Sequence, residues 1–123
     1  MKVSLDPTGA RYLIRRYTTQ CITVNDVDYY GSLIVSTHIA PLQWKPHALT
    51  ELKPDDFNRI LELKPSILIL GVGEQHQFPD PAVLQPLYLQ HIGVEIMTTP
   101  AACRTFNVLA SEGRTVIAAL LRP

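Results

Sequence analysis

The sequence has no excess of charge of either sign. Eleven lysine and arginine residues balance eleven aspartate and glutamate residues among 123, so the formal net charge is zero. Basic and acidic residues also alternate along the chain. Such a chain has no general electrostatic attraction for nucleic acid or for an acidic membrane surface. We therefore expect no nucleic-acid partner, and we look for function in a local site or an uncharged contact surface.

Cysteine is scarce, and the histidines are not spaced as metal ligands. Cys21 and Cys103 are the only cysteines, and they lie far apart with no CxxC pair. This pattern excludes a disulfide framework and gives no sign of zinc or redox chemistry. The four histidines lack HxxxH and HExxH spacing. We expect no metal, no cofactor and a reducing, cytoplasmic location.

Long apolar runs are also missing. The two longest, residues 67–70 and 116–121, fall far short of the roughly 20 residues that a membrane-spanning helix needs. The first residues lack the apolar segment of a signal peptide. A hydrophobic content of 46% is typical of a globular domain. We therefore predict a soluble protein without membrane insertion, folded as one domain over residues 1–123.

The first half of the chain is predicted to be rich in β-strands. β-Branched and aromatic residues recur in short runs, and Asn25-Asp26 is suited to a tight turn between two of them. Gly31 marks a bulge or bend. The predicted strands cover residues 12–14, 21–24, 29–30 and 32–36.

The second half is predicted to alternate between strands and helices. Pro86 is awkward inside its helix, which either starts there or kinks, and Gly93 is expected to close it. Thr99 is the expected N-cap of the last helix, with Pro100 at its first position. The predicted elements are a helix at 54–64, a strand at 67–70, a helix at 84–91, a strand at 94–97, a helix from Thr99 to about Gly113 and a strand at 115–121. A β-α-β-α-β unit of this kind gives parallel strands with helical covers. Together the halves predict a three-layer α/β domain with a mixed central sheet.

Two segments fall at the carboxyl edge of that sheet, where ligands of parallel sheets bind. One contains Gly71 and Gly73, directly after a strand. The other begins at Thr99 and includes Arg104, and the N–H groups at such a helix start attract anions. The two glycines do not complete a dinucleotide fingerprint. The alternatives are an anion-binding pocket and a tight turn beside a buried strand.

Cys103 lies in the first turn of this helix, next to Arg104. Both features stabilise a thiolate, which makes Cys103 the candidate nucleophile, although a small buried hydrophobe is the alternative. Asn107 follows one turn later on the same face. Arg104 and Asn107 either bind a ligand or tie the helix to neighbouring backbone.

Three aromatic residues offer a route to self-association. Tyr29, Tyr30 and Trp44 either form an exposed apolar patch or pack in the core. The sequence leaves the oligomeric state open.

Several segments together resemble the small Mth-type domain of unknown function. The segments are residues 67–73, 93–99, 101–109 and 112–114, and Ala-Ala-Cys-Arg-Thr-Phe-Asn at 101–107 is the most specific. The family pattern usually has Tyr at the position of Phe106 and often Thr at that of Val72. The family contains bacterial and archaeal single-domain proteins, a mitochondrial assembly factor for respiratory complex I and an adipogenesis-associated protein.

The resemblance implies a three-layer α/β fold and no agreed enzymatic reaction. It also implies a protein-interaction or complex-assembly module, whose partner is a protein such as a membrane complex under assembly. The alternative from the residues is a small-ligand-binding protein or enzyme, with its pocket at the carboxyl edge of the sheet. No complete catalytic constellation is present in the sequence, which favours the binding module.

Overall fold

The computed structural model describes residues 10–122, and the first three strands form a small antiparallel sheet. They are β1 (Ile14–Tyr17), β2 (Cys21–Val24) and β3 (Val27–Tyr30). Asn25 has a φ of 52°, and Asn25 and Asp26 form the predicted turn between β2 and β3. The structure places β1 about two residues later than the sequence predicted.

A five-stranded mixed sheet forms the centre of the molecule. Its strands are β4 (Leu33–Ser36), β5 (Leu42–Gln43), β6 (Ile67–Gly71), β7 (Gly93–Met97) and β8 (Ile117–Leu120), in the order β5-β4-β8-β6-β7. The β8-β6-β7 pairs are parallel, whereas β5-β4 and β4-β8 are antiparallel. The predicted mixed central sheet is therefore confirmed, although β1–β3 form a separate sheet.

The three helices are α1 (Asn58–Leu63), α2 (Pro81–Leu89) and α3 (Thr99–Ser111). A 3₁₀ turn, Pro54–Phe57, precedes α1, so the predicted helix over 54–64 is present with a tighter first turn. Another 3₁₀ turn covers Leu49–Glu51.

Both ends of α2 differ from the prediction. The helix begins at Pro81, where the Asp80 side chain accepts a hydrogen bond from the Ala82 N–H at 2.9 Å. Pro86 therefore lies inside the helix. The chain leaves α2 through His91, whose φ of 60° supplies the left-handed conformation, and Gly93 is the first residue of β7. The prediction that Gly93 closes α2 is wrong.

The predicted cap of α3 is displaced by one residue. Thr98 is the N-cap, and its hydroxyl accepts a hydrogen bond from the Ala101 N–H at 3.3 Å. Thr99 is already helical and completely buried. The Thr99 hydroxyl is consequently free to bond outside the helix, which determines the geometry of the candidate site.

Two apolar cores cover opposite faces of the central sheet. One lies under α1, α2 and the 3₁₀ turn, and contains Trp44, Phe57 and Leu87. The other lies between the sheet, α3 and the β1–β3 sheet, and contains Ile22 and Phe106. Strand residues alternate between these cores, as in a sheet covered on both faces. The predicted three-layer α/β architecture is confirmed.

Candidate functional site

Thr99 joins three segments at the carboxyl edge of the parallel strands. Its hydroxyl accepts a hydrogen bond from the Gly73 N–H at 2.9 Å and donates one to the Leu121 carbonyl at 2.8 Å. The Thr99 N–H donates to the Gly73 carbonyl at 2.8 Å. The Leu121 N–H in turn donates to the Gly71 carbonyl at 2.9 Å. The structure therefore brings Gly71, Gly73 and Thr99 together, as a buried connection between three chain segments.

The N–H groups at the start of α3 already have partners. Ala101 donates to the Thr98 hydroxyl, Ala102 donates to the Thr98 carbonyl at 2.8 Å, and Thr99 donates to Gly73. Pro100 has no N–H. The predicted N-cap at Thr99 is wrong, because Thr98 is the N-cap and its side chain and carbonyl accept these bonds. An anion would have to displace these bonds to use the helix start.

Cys103 faces the core that contains Phe106. Its residue is 2% exposed, and it packs among apolar side chains. Burial raises the pKa of the Cys103 thiol to about 12, against the opposing effect of the Arg104 charge. The sequence offered a thiolate nucleophile or a small buried hydrophobe, and this environment favours the buried thiol.

Arg104 and Asn107 make contacts that hold α3 to β1. Asn107 Oδ1 accepts a hydrogen bond from the Ile14 N–H at 2.9 Å, and Asn107 Nδ2 donates to the Ile14 carbonyl. The exposed Arg104 guanidinium donates to the Tyr17 hydroxyl at 2.9 Å. Of the two alternatives for Asn107, ligand binding or a bond to neighbouring backbone, the structure shows the second. Its side-chain amide is therefore occupied by the backbone of Ile14.

An open cleft lies beside the Gly71–Thr99 connection. It measures about 370 Å³, and Val72, Gly73 and Leu121 form its wall at the sheet edge. His47, Glu74 and Arg122 contribute ionisable side chains. Gly73 is the one predicted site residue that lines this cleft. Sequence reasoning missed Arg122, although its position directly after the last strand places it at the same carboxyl edge.

Tyr29, Tyr30 and Trp44 do not form one exposed apolar patch, which was one of the two alternatives for them. Trp44 is buried, donates its indole N–H to the Asp56 carbonyl at 2.8 Å and packs against Phe57. Tyr29 packs partly against the other core, and Tyr30 is exposed. The structure therefore separates Trp44 from the two tyrosines.

Across residues 10–122, no group of three or more His, Cys, Asp or Glu side chains is arranged to hold a metal ion. None of the helices described is long and apolar enough to cross a membrane. Both thiols are free and buried.

Curated relatives of this chain carry two kinds of name. The human protein named NADH dehydrogenase [ubiquinone] 1 alpha subcomplex assembly factor 3 is 31% identical over 89% of this chain. The chain spans about 60% of the length of that relative. The 13 kDa major membrane protein of Francisella tularensis is 26% identical, over 94% of this chain and 95% of its own.

Solved structures share the fold. The NMR structure of a Xanthomonas campestris protein has a TM-score of 0.80 and 34% identity, covering 99% of this chain and 92% of its own. The solution structure of a Bordetella pertussis protein, described as a Mth938-like domain, has a TM-score of 0.82 and 25% identity over the same shares. A family model described as "protein of unknown function (DUF498/DUF598)" matches residues 14–121. The resemblance seen in the sequence is thus confirmed, and the chain belongs to this family.

Proposed function

We propose that this chain is a protein-interaction module that acts in the assembly of a multiprotein complex. The observation that carries this proposal is a concentration of exposed apolar side chains in one stretch of the chain. Phe78, Tyr88 and Leu89 are 71%, 49% and 70% exposed, and all lie within residues 78–89. Phe78 precedes α2, and Tyr88 and Leu89 end it. Contiguous exposed apolar surface is typical of protein-binding sites, so these residues are the candidate contact. Relatives named as complex I assembly factors support the same proposal.

The partner is expected to be a protein, and a membrane complex under assembly is the specific candidate. We place the chain in the cytoplasm, which is reducing. There it would meet the cytoplasmic face of such a complex. A relative named as a membrane protein is compatible with attachment through a partner. Proximity labelling from the tagged full chain tests this placement.

Affinity capture with a matched pair of variants tests the proposal. Tagged wild-type chain, Leu89→Glu and Val108→Glu would be expressed at equal levels in the source organism. Leu89 lies in the stretch described above, whereas Val108 is an exposed apolar residue on α3. We expect a stoichiometric partner that Leu89→Glu loses and Val108→Glu retains. Absence of any stoichiometric partner, with normal membrane complexes in a deletion strain, would refute the assembly role.

A small-ligand site is the second candidate, and the cleft at the carboxyl edge of β6 and β8 favours it. Gly73 and Arg122 line this cleft, and Arg122 suits a carboxylate or phosphate group. Titration with a panel of organic phosphates and carboxylates, followed by NMR, tests the idea. Binding should shift the Gly73 amide signal and should weaken in Arg122→Ala but not in Arg104→Ala.

A further inference from the structure

Strand β7 is an edge strand of the central sheet, and its outer backbone groups have no described partner. β6 pairs with one side of β7, and no strand within residues 10–122 pairs with the other. Gly93 donates to Ser66, and Met97 accepts from Val72, so alternate residues from Gly93 to Met97 direct their backbone groups to β6. The N–H and C=O groups of Val94 and Ile96 therefore point outward, which offers four hydrogen-bonding positions to an added strand.

One backbone group at each end of this edge is already occupied, which limits how an added strand can extend past β7. The Ile92 N–H donates to the Leu87 carbonyl at 3.0 Å. The Thr98 carbonyl accepts from the Ala102 N–H at 2.8 Å. A partner strand therefore finds both outward backbone groups of a residue open at Val94 and at Ile96, with Glu95 between them.

Glu95 is an exposed carboxylate without a cationic partner. It is the only charged residue in β7. The single ion pair within residues 10–122 joins Arg59 and Glu62, so no described cation neutralises Glu95. An added strand places one side chain directly opposite Glu95, where an opposite charge stabilises the pair and a like charge destabilises it.

This carboxylate disfavours a second copy of the chain as the added strand. An antiparallel pair of β7 strands that uses Val94 and Ile96 from both copies places Glu95 opposite Glu95 of the second copy. Shifted registers avoid that repulsion, but each one sets the occupied Ile92 N–H or Thr98 carbonyl against a backbone group of the second copy, which then lacks a free partner. Like charges on an edge strand are a recognised means of preventing self-association.

We propose that the outer edge of β7 binds an extended segment of the partner protein, with a lysine or arginine opposite Glu95. This inference rests on the proposed interaction function and names its contact surface. Helix α2 packs against β7 and ends in the exposed Tyr88 and Leu89. These side chains are available to contact apolar residues of the added strand. In this arrangement the backbone hydrogen bonds hold the added strand, and Glu95 selects for a basic side chain in it.

Hydrogen exchange of the free chain tests whether the edge is open. The amides of Glu95 and Met97 face β6, whereas those of Val94 and Ile96 face outward. We expect exchange at Val94 and Ile96 to be about a hundredfold faster than at Glu95 and Met97. Equal protection of all four amides in the free chain would overturn the proposal, because the edge would already be covered.

Site-specific photocrosslinking identifies the occupant. The photoreactive analogue p-benzoylphenylalanine would replace Tyr88, on the helix that packs against β7, or Tyr30, an exposed tyrosine on the separate β1–β3 sheet. The Tyr88 variant should crosslink to a partner segment that contains a basic residue within an apolar, β-prone stretch. A crosslinked homodimer, or a partner segment that is helical or acidic, would contradict the proposal.

Variants of β7 then test the mode of binding with a synthetic peptide of the crosslinked segment. Glu95→Lys should weaken peptide binding about tenfold, and changing the basic residue of the peptide to glutamate should restore it. Val94→Pro removes one outward N–H, and edge strands tolerate such a proline. Val94→Pro should bind about fivefold more weakly than the control Val94→Ala, which keeps the N–H.

The outcomes separate this inference from the proposed function. If wild-type chain captures no partner, both fail. If wild-type, Glu95→Lys and Val94→Pro chains capture the same partner equally, the interaction function stands and the β7 site is refuted. Thermal melting of each variant verifies folding. If Val94→Pro folds poorly, the binding measurements with Glu95→Lys and the charge-changed peptide decide the question.

Discussion

Gly71 and Thr99 approach each other so closely that no side chain fits between them. A Cβ atom built on Gly71 would lie 3.0 Å from the Thr99 Cα, 3.0 Å from the Thr99 Oγ1 and 3.1 Å from the Leu120 Cδ2. Thr99 is held by its bonds to Gly73 and Leu121, so its backbone has little freedom to move away. The glycine is therefore required at Gly71 for packing between β6 and α3.

We predict that Gly71→Ala destabilises the chain by about 1–3 kcal/mol through overpacking. The matched control is Gly93→Ala, where the added Cβ would meet the Ser66 carbonyl oxygen at 3.6 Å, an ordinary contact. Urea unfolding measures both free energies. Equal stability of the two variants would show that α3 shifts away from β6 at little cost.

The Thr99 hydroxyl is expected to be a major contributor to the same connection. Thr99→Val keeps the shape of the side chain but leaves the Gly73 N–H and the Leu121 carbonyl without a partner. Because unsatisfied buried groups each cost about 1–3 kcal/mol, the variant should lose about 2 kcal/mol or more of unfolding free energy. Thr115→Val, at an exposed position, should change it by less than about 0.5 kcal/mol. A small loss in Thr99→Val would mean that water replaces the hydroxyl.

Much of the fold follows from local signals in the sequence. The apolar run in β6 predicts a strand covered on both faces, and Asn25-Asp26 predicts the first hairpin. The separation of β1–β3 from the central sheet was not predictable, because it depends on which strands pair, and pairing is determined by long-range packing. The start of α2 has a simpler explanation, because two sites in the sequence suit a helix start: Asp80-Pro81, which the structure uses, and Pro86.

The candidate site was predicted less well. The sequence grouped Gly71, Gly73, Thr99, Cys103 and Arg104 at one edge of the sheet. Hydrogen bonds join the segments of the first three, whereas Cys103 faces the core and Arg104 contacts Tyr17. The predicted N-cap, Thr99, is one residue away from the observed one, Thr98. With Thr98 as the cap, the N–H groups of the first turn have hydrogen-bond partners and are not free to bind an anion. Cys103 and Asn107 share a helical face, but periodicity does not reveal that this face meets β1 and the core.

Asn107 is predicted to hold β1 against α3. Asn107→Ala removes both bonds to the Ile14 backbone and should destabilise the chain by about 1–3 kcal/mol. Asn107→Asp retains the acceptor for the Ile14 N–H, but it places a negatively charged carboxylate oxygen against the Ile14 carbonyl oxygen. Because these two acceptors repel each other, Asn107→Asp should not restore stability at neutral pH. Ser111→Ala removes only a local bond to Val108 on an exposed part of α3 and serves as the control. Chemical denaturation and hydrogen exchange at Ile14 measure the effect, and unchanged exchange in Asn107→Ala would contradict it.

The buried thiol of Cys103 predicts a loss of stability at alkaline pH. Folding raises the Cys103 pKa from 9.0 to about 12, because burial disfavours the thiolate. Above about pH 9 the unfolded chain releases this proton while the folded chain keeps it, so stability falls as the pH rises towards 12. Below pH 9 both states hold the proton, and the contribution does not change with pH.

Cys103→Ala isolates this effect from the titration of other groups. Between pH 8 and pH 10.5 the wild type should lose about 2 kcal/mol more unfolding free energy than Cys103→Ala.

In a Cys21→Ala background, where Cys103 is the only thiol, iodoacetamide should modify the native chain on the order of a hundredfold more slowly than the unfolded chain at pH 8. Parallel stability curves for wild type and Cys103→Ala, together with rapid native alkylation, would instead support a thiolate at the start of α3. That result would restore Cys103 as the candidate nucleophile and favour the ligand-binding function over the assembly role.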